Sequence, residues 1–312
     1  MMCRRHFFLL LMGMIPLGNA GCGPADAANG KLRVVVTTTI VADAVRQVGG
    51  DYVTVESLMA AGVDPHKYTP TAGDLGKLRQ AQLVLYSGLH LEGKMADVLE
   101  KPVPGRGPGK AATASLTKDR LRFADGGHAP DPHVWFDVKL WMTCVECVRD
   151  ELAQADPTHE AEYRANADRY LKELAALDLE VHRKIDSIPK EKRVLVTCHD
   201  AFWYFGSAYG IEVNGLQGIS TAEELGVNDV QELAQFIGRR RIPVVFAETS
   251  VPSKGLAKVL DSVKSVFGFE VAIVGGDDAL YSDALGEPGT PAGTYVGMVR
   301  HNVDTIVKAL TK

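Results

Sequence analysis

The chain has 312 residues, 46% of them hydrophobic and 23% charged, with a mean hydropathy of −0.02. This composition is typical of a globular protein and excludes a disordered or fibrous chain. The formal net charge of −5 and the lack of a long basic run in the sequence make nucleic acid a poor candidate for a partner. A chain of this length commonly divides into two domains, each large enough to bury its own core.

The N-terminus has the three parts of a secretory signal peptide. Met1–Arg5 is short and basic, Phe7–Leu17 is apolar but too short to span a bilayer, and small residues follow. We therefore predict a signal peptide over residues 1–21 and an extracytoplasmic mature protein. Ala20-Gly21-Cys22 also resembles a bacterial lipobox, which would place a lipid anchor on Cys22. Cleavage after Ala20 is the alternative, so we expect a protein that is either periplasmic or lipid-anchored to the membrane surface.

The first half of the remaining chain alternates short apolar runs with helical patterns. The first run is typical of a buried strand, and the helix after it stops at two consecutive glycines. Such alternation predicts parallel α/β units. The predicted helix is Ile40–Val48, and the predicted strands are Lys31–Thr39, Val53–Met59, Ala81–Tyr86 and Leu121–Ala124.

A long helix is predicted in the middle of the chain. Asp156-Pro157 supplies an N-cap followed by proline at the first helical position. From there, aromatic and aliphatic residues recur at helical spacing as far as Ile185. A helix over this distance would be about 40 Å long, so we expect residues 154–190 to form one stiff connector.

The second half of the chain repeats the organisation of the first. Its predicted helix is Asn228–Arg240, and its predicted strands are Arg193–Cys198, a segment from Val213, Pro243–Glu248 and Glu270–Val274. The sequence thus predicts an α/β fold with two similar α/β lobes, each a parallel sheet flanked by helices. We expect the first lobe at residues 31–153 and the second at residues 191–312, joined by the connecting helix.

Four side chains with metal-ligand chemistry follow predicted strands. His66 and His133 lie in loops of the first lobe. In the second lobe, His199 directly follows a strand and Asp283 follows the last strand. Ligands of open α/β sheets bind beyond the carboxyl ends of the strands, and three imidazoles with one carboxylate suit a divalent transition metal. Any one of these residues alone is more often an ordinary loop residue, so the prediction depends on their shared position.

Seven segments resemble the successive motifs of the metal-binding solute receptors of bacterial ABC importers, the TroA-like zinc and manganese family. They are DPHKYTP, GLHLEGKM, DPHVWFD, TCHDAFWYFG, GISTAEE, FAETSV and LYSDALG. The resemblance extends from about Leu32 to the C-terminus. It implies two lobes bridged by one long helix, in a monomer that captures Zn²⁺ or Mn²⁺ as cargo. It also implies delivery of the metal to an inner-membrane ABC permease, with no organic cofactor.

The resemblance further implies which residues bind the metal. The positions that match the family's ligands are His66, His133, His199 and Asp283. Zinc-specific members often carry a His-rich acidic loop before the second ligand. The corresponding stretch here, Gly109–Pro132, contains only His128, so the chain departs from the exclusively zinc pattern.

Other residues are interpreted as supporting the fold or the ligands. Asp137, Asp200 and Glu248 lie beside ligand motifs or strand ends and are candidates for orienting the ligands, with helix capping or surface pairing as the alternative. Cys144 and Cys147 form a C-x-x-C inside an amphipathic helix, and Cys198 ends an apolar strand. We interpret these cysteines as core packing. His90 is interpreted as a structural residue at a helix start, and Phe202–Phe205 is expected to roof the metal cleft.

Two further functions could use the same residues. A secreted zinc-dependent hydrolase could use the three histidines, but a catalytic zinc keeps one position open for water, which Asp283 would fill. The second alternative is a metal-binding surface adhesin, whose adhesive role would be additional to metal binding. The sequence therefore favours a receptor that is not an enzyme and leaves the choice of metal open.

Overall fold

The computed structural model describes residues 30–102, 107–123 and 129–312. The predicted signal peptide at residues 1–21, the anchor candidate Cys22 and the loop residue His128 lie outside the described residues. Among the helices within these ranges, none has the length and apolar character needed to cross a membrane.

Strands and helices alternate along the described chain. The strands are β1 (Leu32–Val36), β2 (Val53–Ser57), β3 (Leu83–Tyr86), β4 (Lys110–Ala111), β5 (Val194–His199), β6 (Glu212–Gln217), β7 (Val244–Phe246) and β8 (Ala272–Val274). The helices are α1 (Thr39–Gly49), α2 (Ala72–Gln80), α3 (Ala96–Glu100), α4 (Val138–Ala155), α5 (Glu160–Asp186), α6 (Trp203–Tyr209), α7 (Val227–Arg240), α8 (Lys254–Phe267) and α9 (Tyr295–Leu310).

The first lobe is built on a parallel sheet in the order β2-β1-β3-β4. The central strand β1 is buried except at Arg33, as expected for a parallel strand with both faces covered by helices. The helix α1 follows directly and is capped by Thr38, whose Oγ1 accepts a hydrogen bond from the Val41 amide at 3.3 Å. This arrangement aims the loops after β2 and β4 at the same edge of the sheet.

The fourth strand of this sheet is not the predicted one. It is the two-residue β4, which pairs with the end of β3. In the predicted segment Leu121–Ala124, Phe123 forms only an isolated antiparallel bridge with Pro130, and Ala124 lies outside the described residues. The prediction of the fourth strand was wrong. The observed strand β4 was missed because its two half-buried residues are too few to show hydrophobic alternation.

The second lobe contains two parallel strand pairs, β5-β6 and β7-β8. The pairs lie side by side, since the Cys198 Sγ atom is 4.0 Å from the Phe246 carbonyl oxygen. Apolar residues of α7 and α8, such as Leu233 and Val259, complete a core separate from that of the first lobe. The predicted fold of two α/β lobes with parallel sheets flanked by helices is confirmed.

The long helix is also confirmed. A 3₁₀ turn at Pro157–His159 leads into the 27 residues of α5, which are about 40 Å long. At its start, the Asp156 carboxylate accepts hydrogen bonds from the Tyr163 hydroxyl at 2.8 Å and from His159 Nδ1 at 2.7 Å. Along its length, one face from Tyr163 to Ile185 is buried and packs on α4, α1 and α9.

The C-terminal part of the chain returns to the first lobe. The Tyr295 amide donates to Asp43 Oδ2 of α1 at 3.0 Å, and the Leu285 amide donates to Thr39 Oγ1 at 2.8 Å. The Trp135 indole donates to the Ser282 carbonyl at 3.0 Å. Helix α9 therefore shares its core with the first lobe, and the lobe limits at residues 153 and 191 stay predictions.

The cysteines of the described chain are buried packing residues. Cys144, Cys147 and Cys198 are all free thiols with little exposure. Burial raises the pKa of the Cys198 thiol to about 12 and that of Cys144 further still, which keeps both unreactive at neutral pH. The core-packing interpretation of the C-x-x-C is consistent with this environment.

Candidate metal centre

The structure brings the four candidate donors together between the lobes. One nitrogen or oxygen from each of His66, His133, His199 and Asp283 lies within 4.8 Å of the others. His66 follows β2, His133 follows β4, His199 is the last residue of β5, and Asp283 follows β8. Their exposed fractions are 5%, 0%, 0% and 1% respectively. The donors thus face each other in an enclosed space, although they come from distant parts of the chain.

The distances between donors fit a single coordinated ion. His66 Nε2 lies 3.3 Å from His133 Nε2. The two oxygens of Asp283 lie 3.4 Å from His133 Nε2 and 3.3 Å from His199 Nε2. Metal–nitrogen bonds of about 2.0–2.1 Å in a tetrahedral site would separate neighbouring donors by about 3.3–3.4 Å. The spacing of this cluster therefore suits a first-row divalent metal.

Two atoms of the cluster are buried without a hydrogen-bond partner in the described chain. They are His199 Nε2 and Asp283 Oδ1, each with almost no solvent contact. An unsatisfied buried polar atom is costly, and a charged one more so. A cation bound between the donors would satisfy both atoms at once, so the donor set fits a metal ion.

Each of two histidines is fixed by a buried carboxylate behind it. Glu248 accepts from His199 Nδ1 at 2.6 Å and from the His199 amide at 2.9 Å. Asp131 makes the same pair of contacts with His133, at 2.7 Å to Nδ1 and 3.0 Å to the amide. Both rings therefore present Nε2 to the centre, because the carboxylate takes the other nitrogen.

One of these carboxylates was predicted and the other was missed. Glu248 was a candidate for orienting a ligand, and its contacts agree with that prediction. Asp131 was not singled out, although the sequence contained a signal in the repeated Asp-Pro-His. In the first copy, Asp64 Oδ1 accepts from the His66 amide at 3.0 Å, which is the contact that Asp131 makes to the His133 amide.

The other two carboxylates predicted to orient ligands have different contacts. Asp137 caps α4, since its Oδ1 accepts from the amides of Lys139 and Leu140 at 2.8 and 3.2 Å. Asp200 pairs with the Arg122 guanidinium at 2.7 Å. The prediction of a direct orienting contact is therefore wrong for both, and the helix-capping alternative applies to Asp137.

The aromatic run after His199 supports the His133 segment from the side. Phe202 packs on Phe136 with ring centroids 4.3 Å apart, and the Tyr204 hydroxyl donates to the Asp131 carbonyl at 3.1 Å. These rings therefore pack beside the centre and support the His133 segment, and the prediction that they cover the metal cleft is wrong. His90, expected at a helix start, lies in a turn with a positive φ of 65° before α3 begins.

Burial and neighbouring charge set the protonation of the first-lobe histidines. Burial lowers the pKa of His66 to about 4, so this ring is neutral near pH 7. Burial acts in the same direction on His133, but the charge and hydrogen bond of Asp131, with a further contribution from Asp283, raise its pKa to about 9. His133 is therefore protonated at neutral pH when no metal is bound.

The second-lobe donors are coupled in the same way. Burial opposes the charge on His199, yet the carboxylates of Glu248 and Asp283 raise its pKa well above the ordinary value. Burial likewise opposes the charge on Asp283, but His199 and His133 hold its pKa well below the usual range. The pKa values of these donors are thus set by one another's charge as well as by burial.

Comparison with known proteins agrees with this fold. Residues 34–309 match the ZnuA family, described as zinc-uptake complex component A, periplasmic. The chain therefore belongs to the ZnuA family. It is 46% identical over 293 residues to the manganese-binding lipoprotein MntA of Bacillus subtilis, covering 93% of this chain and 94% of the relative. It is 45% identical over 305 residues to the zinc-binding protein TroA of Treponema pallidum, covering 97% of each chain.

Among solved structures, the chain is similar to the periplasmic zinc-binding protein TroA from Treponema pallidum. That structure superimposes with a TM-score of 0.86 and 46% identity, covering 91% of this chain and all of the other. The likeness includes both lobes and the long helix between them. The overall architecture is therefore that of this family.

Proposed function

We propose that this protein is an extracytoplasmic receptor that captures Zn²⁺ or Mn²⁺ between its two lobes and delivers the ion to an ABC permease. The observation that carries the proposal is the enclosed cluster of three imidazoles and one carboxylate. Membership of the ZnuA family supports it, as does similarity to relatives that are named as manganese-binding and zinc-binding proteins.

The proposed ligands are His66 and His133 from the first lobe, with His199 and Asp283 from the second. A site divided in this way is complete only when the lobes are together, so capture and release depend on their relative movement. Because α5 is continuous and packs along the first lobe, we expect release to require small tilts and loop movements, with the permease supplying the disturbance.

The choice between zinc and manganese depends on supply as well as on the donors. Nitrogen and oxygen sites bind zinc more tightly than manganese almost regardless of their biological role. Tight zinc binding by the purified protein is therefore expected for a receptor of either metal. The relatives reflect both, since MntA is named for manganese and TroA for zinc.

We propose that the centre transports metal and does not catalyse. A catalytic zinc needs an open position for water and space for a substrate. Here Asp283 directs an oxygen at each of two histidines and all four donors are almost fully buried. A zinc-loaded protein should give no turnover of ester or phosphoester substrates above that of a variant lacking His199.

We further propose that the receptor is a monomer anchored through a lipid on Cys22. A single chain supplies all four donors, and the relative MntA is named a lipoprotein. Light scattering on the purified protein should give the mass of one chain. When expressed in a bacterium, the wild type should sediment with membranes, whereas Cys22→Ala should be recovered in the soluble fraction.

The decisive experiment is a calorimetric titration of metal-stripped, untagged protein with Zn²⁺ and, separately, with Mn²⁺. We expect one tight site per chain that weakens by at least about 100-fold in His199→Ala and in Asp283→Ala, because each change removes a donor from a four-donor set. His182→Ala is the matched control, since this ring is 40% exposed on α5. Binding that survives both site substitutions would contradict the proposal.

A further inference from the structure

Arg122 lies between the two lobes and contacts a carboxylate from each. Its Nη1 atom is 3.2 Å from Asp131 Oδ2 in the first lobe. Its Nη2 atom is 2.7 Å from Asp200 Oδ2 in the second lobe. The Arg122 and Asp200 side chains are each only 21% exposed, and Asp131 is fully buried. A planar guanidinium can hold two carboxylates at once, which the point charge of a lysine cannot do in a fixed geometry.

Asp131 transmits this contact to a proposed metal ligand. One of its oxygens accepts from His133 Nδ1 at 2.7 Å, while the other accepts from Arg122. The carboxylate is therefore held at both ends, and it cannot rotate without breaking one of the two contacts. Because Asp131 sets the orientation of the His133 ring, the position of Arg122 bears on where His133 Nε2 points.

The second-lobe side of the contact is made by residues that directly follow another proposed ligand. Besides Asp200, the ring of Trp203 lies 5.1 Å from the Arg122 guanidinium carbon. The Tyr204 hydroxyl accepts from the Arg122 amide at 2.9 Å and donates to the Asp131 carbonyl at 3.1 Å. Residues shortly after His199 thus contact both the side chain and the backbone of Arg122.

We propose that Arg122 is a positioning residue that couples closure of the lobes to the orientation of His133. With the lobes together, the bridge from Asp200 through Arg122 to Asp131 holds His133 toward the metal. Separation of the lobes breaks the bridge at Asp200, which leaves the Arg122 guanidinium free to move and so weakens the restraint that it places on Asp131 and, through Asp131, on the His133 ring. The inference rests on the proposed function and adds a route by which movement of the second lobe weakens binding in the first.

The test is a double-mutant cycle on metal release. Zn²⁺-loaded wild type, Arg122→Gln, Asp200→Asn and the double variant are mixed with excess chelator, and the release rate is followed. We expect each single change to accelerate release by about 10-fold or more, within the range known for residues that orient metal ligands. The double variant should release no faster than the faster single variant, because both changes break the same bridge.

Two further variants separate positioning from general destabilisation. Arg122→Lys should give an intermediate rate, since it keeps the charge but loses the two-sided contact. Arg300→Gln is the matched control, because it breaks an ion pair of 3.0 Å with Glu180 on the outer face of α5. Melting of the metal-free proteins is measured in parallel, and the control should retain the wild-type release rate.

The outcomes distinguish this inference from the proposed function. Release rates that match the wild type, that multiply in the double variant, or that change no more than in Arg300→Gln would overturn the role of Arg122. Wild-type protein that binds no Zn²⁺ would overturn the proposed function itself. Tight wild-type binding lost in Asp283→Ala, together with unchanged release from Arg122→Gln, would overturn only the present inference.

Discussion

At the scale of single residues, the centre is organised by carboxylates that never face the metal. Glu248 and Asp131 each use two short contacts to hold one histidine, through its ring and through its amide. These contacts fix the tautomer in which Nδ1 carries the hydrogen and Nε2 is available as a donor. Most of the preorganisation of the site therefore depends on side chains behind the ligands.

We expect Glu248→Gln to weaken metal binding by about 10- to 100-fold. The amide has nearly the same shape as the carboxylate but lacks its charge, so it orients the His199 ring less firmly and makes Nε2 a weaker donor. Competition with a chelator of known affinity measures the change. The control is Glu270→Gln, an exposed residue paired with Lys264 at 2.7 Å. Equal affinities for the two variants would contradict this role of Glu248.

The protonation of the cluster makes metal binding depend on pH. At pH 7 the pKa of about 9 at His133 keeps this ring charged, while His66, with a pKa of about 4, is neutral. A divalent ion that binds at His133 Nε2 must displace the proton of this ring. Protons therefore compete with the metal ion for the histidine nitrogen.

Affinity should consequently rise with pH through the pKa of about 9 at His133, because above it the metal has no proton to displace from this ring. At least about one proton should be released per ion bound at pH 7, from His133. Calorimetry in buffers that differ in ionisation enthalpy counts them directly. An affinity that is flat between pH 6.5 and 8.5, with no proton release, would show that His133 is neutral before the metal arrives.

At the scale of elements, three helices meet at one buried carboxylate. Asp43 of α1 accepts from the Tyr170 hydroxyl of α5 at 3.3 Å and from the Tyr295 amide at the start of α9 at 3.0 Å. The Asp43 side chain is buried. The contact therefore joins the first lobe, the long helix and the C-terminal helix at a single point.

We expect Asp43→Ala to lower the free energy of unfolding by about 1–3 kcal/mol for each buried donor left without a partner. Urea titration of the metal-free protein measures the loss, since bound metal would add its own stabilisation. Asp51→Ala, at an exposed position shortly after α1, should stay within about 0.5 kcal/mol of wild type. A similarly small change for Asp43→Ala would contradict the role of this junction.

The sequence predicted those elements and residues whose signals are local. Strand β1 has a continuous apolar run, α5 has a cap and a long periodic face, and the four donors follow strands. The same reasoning missed β4, because two residues carry no pattern. It also could not connect Arg122 with Asp200, since their contact depends on how one lobe sits against the other. Asp131 was within reach of sequence reasoning through the repeated Asp-Pro-His.

At the scale of the whole molecule, the four proposed donors are closed off from solvent, so we expect metal exchange to require the lobes to part. Besides the bridge at Arg122, one hydrogen bond crosses near His66: the Thr221 hydroxyl donates to Asp64 Oδ2 at 2.6 Å. Thr221 is 1% exposed and follows β6. This bond holds the loop after β6 against the first lobe.

Thr221→Val should accelerate both uptake and release of Zn²⁺ by about tenfold, because it removes a contact that holds the two lobes together. The substitution keeps the shape and removes a bond to a charged acceptor worth roughly 1.5–3 kcal/mol. Stopped-flow mixing with a chelating dye measures both rates. Thr290→Val removes a hydroxyl that bonds only within its own loop and serves as the control. Rates equal to those of the control would exclude Thr221 as a closing contact.

The return of α9 to the first lobe has a consequence for biosynthesis. The Tyr295 amide meets Asp43 across 252 positions of the chain, and the buried face of α9 fills a core begun by α1. While the polypeptide is still being made, this core lacks its last layer, and contacts of such long range also slow folding. We therefore expect the nascent chain to stay incompletely folded until α9 has been synthesised, and an incompletely folded chain is suited to passage through a secretion channel.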